Sequence, residues 1–132
     1  NISEEEVESV IRADLTGHIH FTRLMIPHLR QAGEAAIINV SSKSGVTAQP
    51  GQSVYSAAKW GMTGFTEVLK VDLASTIIRV AGLYQGGVDT GMFRKAGEHL
   101  NQDKFIKPED LADVVVFMLS RPESIWLHDV RV

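Results

Sequence analysis

The sequence contains no cysteine among its 132 residues, so disulfides, thiolate catalysis and cysteine-bound metals are excluded. It also lacks any apolar run near the roughly 20 residues that a membrane-spanning helix needs. Its first six residues, Asn-Ile-Ser-Glu-Glu-Glu, are largely acidic, whereas a secretion signal begins basic and then becomes apolar. These absences predict a cytoplasmic protein with no membrane partner.

The charge balance narrows the range of partners further. A formal net charge of -3 argues against nucleic acid, whose phosphates attract basic proteins. The five histidines are scattered without a metal-ligand spacing, so the sequence predicts no metal site. The remaining composition, 44% hydrophobic and 22% charged, is that of an ordinary globular domain that spans residues 1–132.

Hydrophobic periodicity predicts a chain in which helices and strands alternate. Ser3 and Glu6 form a capping box that begins the first helix, and Gly33 is its expected stop. The inward stripe of this helix is expected at Val7, Val10, Ile11, Asp14, His18, Phe21, Met25 and Leu29. The other predicted elements are strands at 35–40, 77–83 and 125–132, helices at 53–74 and 108–120, and a short helix within the 90–102 loop.

The order α-β-α-β-α-β predicts the fold class. Strands that are joined by helical crossovers form a parallel sheet, so we expect an α/β fold with three parallel strands. In such sheets the chemistry gathers at the carboxyl ends of the strands. Those ends are the Ser41-Ser42 pair after the first strand and the 84–90 segment after the second, and both can face one cleft.

Tyr55 and Lys59 are four residues apart near the start of a predicted helix, so their side chains share one face. A nearby ammonium and the positive end of a helix both favour a phenolate over a phenol. A tyrosine in that setting can exchange a proton with a substrate oxygen. Ser42, at the end of the first strand, can hydrogen-bond the same oxygen. The Tyr-x-x-x-Lys spacing alone is common on helices, so the chemistry depends on what surrounds it.

A longer set of motifs surrounds this pair. The set consists of Ile37-Ile38-Asn39-Val40-Ser41-Ser42, Gly45, Pro50-Gly51, Tyr55-Ser56-Ala57-Ala58-Lys59, Gly61, Gly64, Ile78-Arg79-Val80, Gly86 with Asp89-Thr90, and Pro108-Glu109-Asp110-Leu111-Ala112. It closely resembles the short-chain dehydrogenase/reductase family over almost the whole chain. The resemblance implies the C-terminal half of a Rossmann-like, doubly wound sheet. It also implies an oxidoreductase that uses NAD or NADP on a small-molecule carbonyl or alcohol.

The resemblance implies roles for the catalytic residues. Tyr55 is expected to be the general acid in reduction and the base in oxidation. Lys59 is expected to favour the phenolate and to hold the nicotinamide ribose. Ser42 is expected to orient and polarise the substrate carbonyl, with Ser41 as the near alternative, one residue out of the family spacing.

The resemblance also implies where the nicotinamide end of the cofactor binds. The turn at Gly86 leads into this site. The backbone of Val88 is expected to meet the carboxamide, and Thr90 is expected to contact the cofactor beside it. Because long helices often form the subunit contact in the family, a homo-oligomer, either a dimer or a tetramer, is expected.

Three positions depart from the family pattern. Asp14 stands where an asparagine is usual, and two interpretations of it stay open. Either it faces Lys59 through a water, as a fourth catalytic residue, or it points to solvent at the edge of its helix stripe. Ala81 replaces another usual asparagine, and Gln85 replaces the usual proline before Gly86, which predicts a looser turn there.

The largest departure is an absence. No glycine-rich turn after a first strand is present to bind a pyrophosphate, so we expect the N-terminal nucleotide-binding half to be missing from this chain. The strand at 35–40 then has an open edge, which we expect another copy, another chain or the missing half to cover. The alternative function is that of a truncated, non-catalytic member of the family that serves as an assembly or interaction module.

Overall fold

A computed structural model of the chain describes residues 2–95, 97, 101 and 104–132. Within these ranges the chain forms five α-helices and three strands. They are α1 (Glu4–Ile11), α2 (Gly17–Leu29), β1 (Ala35–Val40), α3 (Ser53–Asp72), β2 (Ile78–Tyr84), α4 (Met92–Lys95), α5 (Pro108–Leu119) and β3 (Asp129–Arg131). Within the described ranges, none of the helices combines the length and the hydrophobicity that a membrane span requires. Part of the predicted 90–102 loop, including residue 102, lies outside the described residues.

The first helical stretch begins as predicted and then changes register. Ser3 caps α1, and its side chain and backbone exchange hydrogen bonds with Glu6. The backbone N–H of Ser3 and, in addition, its hydroxyl both donate to the Glu6 carboxylate. These two bonds hold the pKa of the Glu6 carboxyl below its usual value. A π-helical turn at Arg12–Thr16 then separates α1 from α2.

The π turn explains why part of the predicted stripe was wrong. A π turn holds one residue more than an α turn, so it rotates the following residues around the helix. His18 and Phe21, expected to face inward, are exposed, and the residues one position later, Ile19 and Thr22, lie inward instead. Thr22 is the buried residue of α2.

The three strands form one parallel sheet in the order β1-β2-β3, as the alternation of elements predicted. β1 pairs with β2 from Ala35↔Ile78 to Val40↔Leu83. β2 pairs with β3 from Gly82↔Asp129 to Tyr84↔Arg131. The carboxyl ends of β1 and β2 therefore lie side by side at the same end of the sheet.

Helices cover both faces of this sheet. On one face, Leu69 and Leu73 of α3 pack with Ile78 and Val80 of β2, and α2 adds partly buried side chains. On the other face, Met118 of α5 packs with alternate residues of the sheet, Ala81 and Leu83. Both faces of β2 are apolar because both are covered, which is the pattern of a parallel strand.

The last strand is shorter than predicted. β3 spans Asp129–Arg131, whereas the apolar pattern predicted 125–132. The indole of Trp126 donates a hydrogen bond of 2.8 Å to the carbonyl oxygen of Val80. That oxygen lies on the edge of β2 that faces β3. A side chain therefore occupies the acceptor that a longer strand would use, and pairing begins only after His128.

A polar cluster ties β3 to α3. Lys70 Nζ donates to Asp129 Oδ1 and Oδ2 at 2.9 and 2.8 Å, and to Glu67 Oε1 at 2.6 Å. Burial pushes the pKa of Lys70 down, but the bonds and charges of Asp129 and Glu67 outweigh it and leave that pKa raised. Burial, reinforced by the charge of Asp129, raises the pKa of Tyr84. The cluster fixes the helix against the sheet away from the β1 edge.

The two glycines inside α3, Gly61 and Gly64, differ in how closely they are packed. A Cβ on Gly61 would lie 2.8 Å from the Leu15 side chain, so this glycine lets the π turn approach α3. A Cβ on Gly64 would meet no atom within 4 Å. Gly61 is therefore a position of close packing, whereas Gly64 lies on an exposed part of the helix.

One edge of β1 has no strand partner among the described residues. Beside this edge, α2 and β1 enclose an open groove of about 590 Å³, whose walls include His18, Phe21 and Ile37. The expectation that another chain segment covers the edge stays a prediction.

Candidate active site

Ser42 lies at the carboxyl end of β1, where the strand passes into a short 3-10 turn, Lys43–Gly45. Its backbone is still extended, and its side-chain oxygen caps this turn by accepting the N–H of Ser44 at 3.1 Å. Because Ser42 Oγ accepts that bond, its own proton remains available to donate to another oxygen. The cap thus orients the hydroxyl without using its donor.

The loop that carries Ser42 is held against the start of α3. The Ser44 hydroxyl donates to Gln52 Oε1 at 2.7 Å, and the Thr63 hydroxyl donates to the Gly45 carbonyl at 2.9 Å. A Cβ on Gly45 would lie 2.7 Å from the backbone oxygen of Lys59, so only glycine permits this approach. Gly45 appeared in the sequence as one motif residue among many, and its packing role could not be read from spacing alone.

Ser42 and its neighbour Ser41 differ in burial and in the face of the sheet to which they point. Ser41 is buried, and its hydroxyl lies 3.5 Å from the Lys59 carbonyl oxygen, on the α3 side of the sheet. Ser42 is only partly buried and points to the opposite face, because side chains alternate along an extended chain. Ser41 therefore serves as a packing contact, whereas Ser42 lies at the open end of the strand.

Tyr55 and Lys59 stand on one face of α3, as their spacing predicted. Tyr55 is the third residue of the helix, within the turn where the positive end of the dipole acts. Nζ of Lys59 lies 5.5 Å from the centroid of the Tyr55 ring. The Lys59 side chain is buried, so its charge acts on Tyr55 with little screening by water.

Asp14 reaches Lys59 directly. Its Oδ1 lies 3.0 Å from Lys59 Nζ, and the two side chains are 29% and 8% exposed. The carboxylate therefore neither points to solvent nor needs an intervening water, the two arrangements that the sequence left open. The π turn places it there, with the adjacent Leu15 packed against Gly61.

Of the five cofactor residues expected from the sequence, Tyr55 and Lys59 lie on α3, whereas Gly86, Val88 and Thr90 lie on the loop after β2. The N–H of Gly86 donates to the Val132 carbonyl at 2.9 Å, and a Cβ there would approach that oxygen only to 3.9 Å. The next residue of the turn, Gly87, is the tightly packed glycine, because a Cβ would lie 2.9 Å from the Phe105 ring.

The next residues of this loop form a short parallel bridge between Val88 and Ile106. The carbonyl oxygen of Val88 accepts the N–H of Thr90 at 2.8 Å. The Thr90 side chain is exposed and lies 3.4 Å from the N–H of Met92, at the start of α4. Their cofactor roles stay predictions, and the Val88 carbonyl is already engaged within the loop.

Comparison with known proteins now decides the family. The model of the short chain dehydrogenase family matches residues 1–101, which include β1, the Ser42 loop and α3. The chain belongs to the short-chain dehydrogenase family. The shared region contains Ser42, Tyr55 and Lys59 at the spacing from which the resemblance was inferred.

Individual short-chain dehydrogenase relatives agree. The chain is 32% identical over 131 residues to a 3-oxoacyl-(acyl-carrier-protein) reductase of Thermotoga maritima, covering 93% of this chain and 53% of that protein. The corresponding reductase of Chlamydia trachomatis is 34% identical over 132 residues, with the same two shares, 93% and 53%. The chain thus spans about half the length of the curated relatives it matches.

Solved short-chain dehydrogenase structures share the fold. The 3-ketoacyl-(acyl-carrier-protein) reductase of Brucella melitensis, complexed with NADH, matches with a TM-score of 0.82 and 27% identity over 98% of this chain and 58% of that one. Serine dehydrogenase of Escherichia coli matches with a TM-score of 0.83 and 25% identity, and the match covers 100% of this chain and 55% of that protein. A Burkholderia cenocepacia short chain dehydrogenase in complex with NADP matches with a TM-score of 0.82 and 25% identity. This match covers 98% of this chain and 52% of that protein.

Proposed function

We propose that this protein is an NAD- or NADP-dependent oxidoreductase that reduces a small-molecule carbonyl or oxidises the corresponding alcohol. The observation that carries the proposal is the position of the Lys59 ammonium, 5.5 Å from the Tyr55 ring centroid, on the same helix face. The loop of Ser42 is fixed to that helix through Gly45 and Thr63. These bonds between the Ser42 loop and α3 support the proposal that the Ser42 hydroxyl acts beside Tyr55 and Lys59.

In the proposed mechanism, Tyr55 carries the proton. In reduction its hydroxyl donates a proton to the substrate oxygen and becomes a phenolate. Lys59 and the positive end of α3 stabilise that phenolate. In oxidation the phenolate takes the proton from the alcohol. Ser42 donates a hydrogen bond to the same oxygen, which holds the substrate in place and stabilises the charge that develops on it.

The residues present fit a nicotinamide cofactor. An ammonium carries three donors, and Asp14 accepts from only one side of Lys59, so donors remain for the hydroxyl oxygens of a ribose. When bound, the nicotinamide supplies the hydride in reduction and accepts it in oxidation. The proposed holding residues are Lys59, the turn at Gly86, the backbone of Val88 and Thr90.

Similar proteins support the same cofactor class. Among the solved structures, the Brucella reductase is complexed with NADH, and the Burkholderia dehydrogenase is in complex with NADP. The relatives also include a serine dehydrogenase and acyl-carrier-protein reductases, which differ in substrate. We therefore extend to this protein the cofactor class, NAD or NADP, and a carbonyl or alcohol substrate.

Titration with NADH and NADPH tests the proposal. The protein in its full natural length should bind one of them, seen as a change in nicotinamide fluorescence at sub-millimolar concentration. No binding of either cofactor at millimolar concentration would contradict the proposal. It would favour the alternative of a non-catalytic interaction module. The cytoplasmic location stays a prediction that cell fractionation can check. The homo-oligomeric state, dimer or tetramer, stays a prediction that a size measurement can check.

A further inference from the structure

The side chain of Gln85 lies beside that of Ser42, just past the carboxyl ends of β2 and β1. The last regular pair of β1 and β2 is Val40↔Leu83. The ladder continues beyond it, since the N–H groups of Ser41 and Lys43 donate to the carbonyls of Leu83 and Gln85, both at 2.8 Å. Ser42 therefore pairs with Gln85, and paired residues of parallel strands point to the same face.

The amide oxygen of Gln85 lacks a partner. Three buried side-chain atoms of the described residues have no hydrogen-bond partner: Ser56 Oγ, Arg79 Nη1 and Gln85 Oε1. Only the Gln85 oxygen is purely an acceptor, because a hydroxyl can donate and a guanidinium always does. A buried acceptor without a donor is costly, so it marks a position where a bound group can repay that cost.

The backbone around Gln85 fixes where this acceptor sits. On one side Lys43 bonds the Gln85 carbonyl, and on the other the N–H of Gly86 donates to the Val132 carbonyl at 2.9 Å. The residue is thus held between neighbouring backbone segments at the carboxyl edge of the sheet. A proline, usual at this position in the family, would offer no side-chain acceptor there.

We infer that Gln85 Oε1 accepts a hydrogen bond from the carboxamide NH2 of the nicotinamide, an inference that rests on the proposed function. A substrate carbonyl is itself an acceptor and cannot satisfy Gln85 Oε1, and in the proposed mechanism the proton of an alcohol substrate goes to Tyr55. It is instead the partner of the hydroxyls of Ser42 and Tyr55. The carboxamide NH2 carries two donors. The Val88 carbonyl, the other acceptor expected for it, already accepts the N–H of Thr90 at 2.8 Å and has one lone pair left, whereas Gln85 Oε1 has no donor at all.

Calorimetric binding of matched cofactors tests this assignment without relying on turnover. The 3-acetylpyridine analogues of NAD and NADP replace the carboxamide by a methyl ketone, which keeps the carbonyl and removes the N–H donors. The full-length protein should bind the carboxamide form about tenfold more tightly than its analogue. In Gln85→Met this preference should fall to about twofold, because the variant loses the acceptor and keeps the side-chain length.

The control variant is Gln31→Met, which makes the same change at an exposed residue after α2 and should keep the tenfold preference. Should Gln85→Met fail to fold by thermal unfolding, Gln85→Asn, whose amide is one methylene shorter, takes its place. Equal binding of both cofactor forms by the unmodified protein, or an undiminished preference in the Gln85 variant, overturns the inference and leaves the proposed function standing. If neither cofactor form binds, the inference about Gln85 and the proposed function are both overturned.

Discussion

Asp14 Oδ1 lies 3.0 Å from Lys59 Nζ, so the first helical stretch supplies the counter-charge for the buried lysine of α3. An ammonium that is only 8% exposed is costly unless it is paired, and the π turn provides the pairing carboxylate. The same Nζ lies 5.5 Å from the Tyr55 ring centroid. The Asp14 carboxylate therefore compensates part of the positive charge that Lys59 places beside Tyr55.

Replacing this carboxylate by an amide should destabilise the fold, because the Lys59 ammonium stays buried and loses its charged partner. Asp14 is partly exposed, so the loss is smaller than for a fully buried pair. In Asp14→Asn the free energy of unfolding should fall by about 1–3 kcal/mol. The measurement is urea unfolding of the variant and of the unmodified protein.

Asp72→Asn is the matched control for this loss of stability. Asp72 is exposed at the end of α3, so its charge is screened by water. Its replacement should change the free energy of unfolding by less than about 0.5 kcal/mol. An Asp14→Asn variant as stable as the unmodified protein would contradict the role of Asp14 as the partner of Lys59.

Gly45 and Gly64 should respond to alanine in opposite directions. In Gly45→Ala the new Cβ would meet the Lys59 backbone, which cannot move aside, so the free energy of unfolding should fall by about 1–3 kcal/mol. Turnover should fall as well, because the displaced loop carries Ser42. Gly64→Ala meets nothing within 4 Å and should raise the free energy of unfolding by about 0.5–1 kcal/mol. Urea unfolding of both variants checks the pair, and a neutral Gly45→Ala would refute the close approach.

The Lys70 cluster should stabilise the fold below an alkaline limit. The pKa of Lys70 is raised above its ordinary value of 10.5, so its charged form is favoured in the folded state. That contribution is fully present below this value and is lost as pH rises through the higher folded pKa. Lys70→Met should therefore lower the free energy of unfolding by about 1–2 kcal/mol at neutral pH, and the deficit should shrink above about pH 10.5. A deficit that is constant to alkaline pH would show that packing alone is lost.

Much of the sheet could be predicted because local pattern and tertiary packing agree. The bounds of β1 coincide with its apolar run, and α5 begins at Pro108, as the helix-start pattern indicated. The failures arose where a long-range contact overrides the pattern. The Trp126 indole takes an acceptor of β2 and shortens β3. The π turn moves Phe21 out of the predicted stripe, and no periodicity of apolar residues reports such a turn in advance.

The candidate site divides in the same way. The spacing of Tyr55 and Lys59 predicted a shared helix face, because four residues make about one turn. The direct contact of Asp14 with Lys59 could not be predicted, since it depends on the π turn and on how closely Gly61 lets Leu15 approach. The facing of Gln85 and Ser42 depends on strand register, which the sequence does not state residue by residue.

The most direct test of the central claim is turnover of Tyr55→Phe in the full-length protein, with cofactor affinity measured on the same sample. The chain has two tyrosines, so Tyr84→Phe is a matched control that removes a buried hydroxyl away from the proposed chemistry. The account predicts that Tyr55→Phe loses at least about a hundredfold in kcat, as expected for a general acid, while cofactor affinity changes little. Tyr84→Phe should keep its turnover. Turnover of Tyr55→Phe equal to that of the unmodified protein would contradict the account.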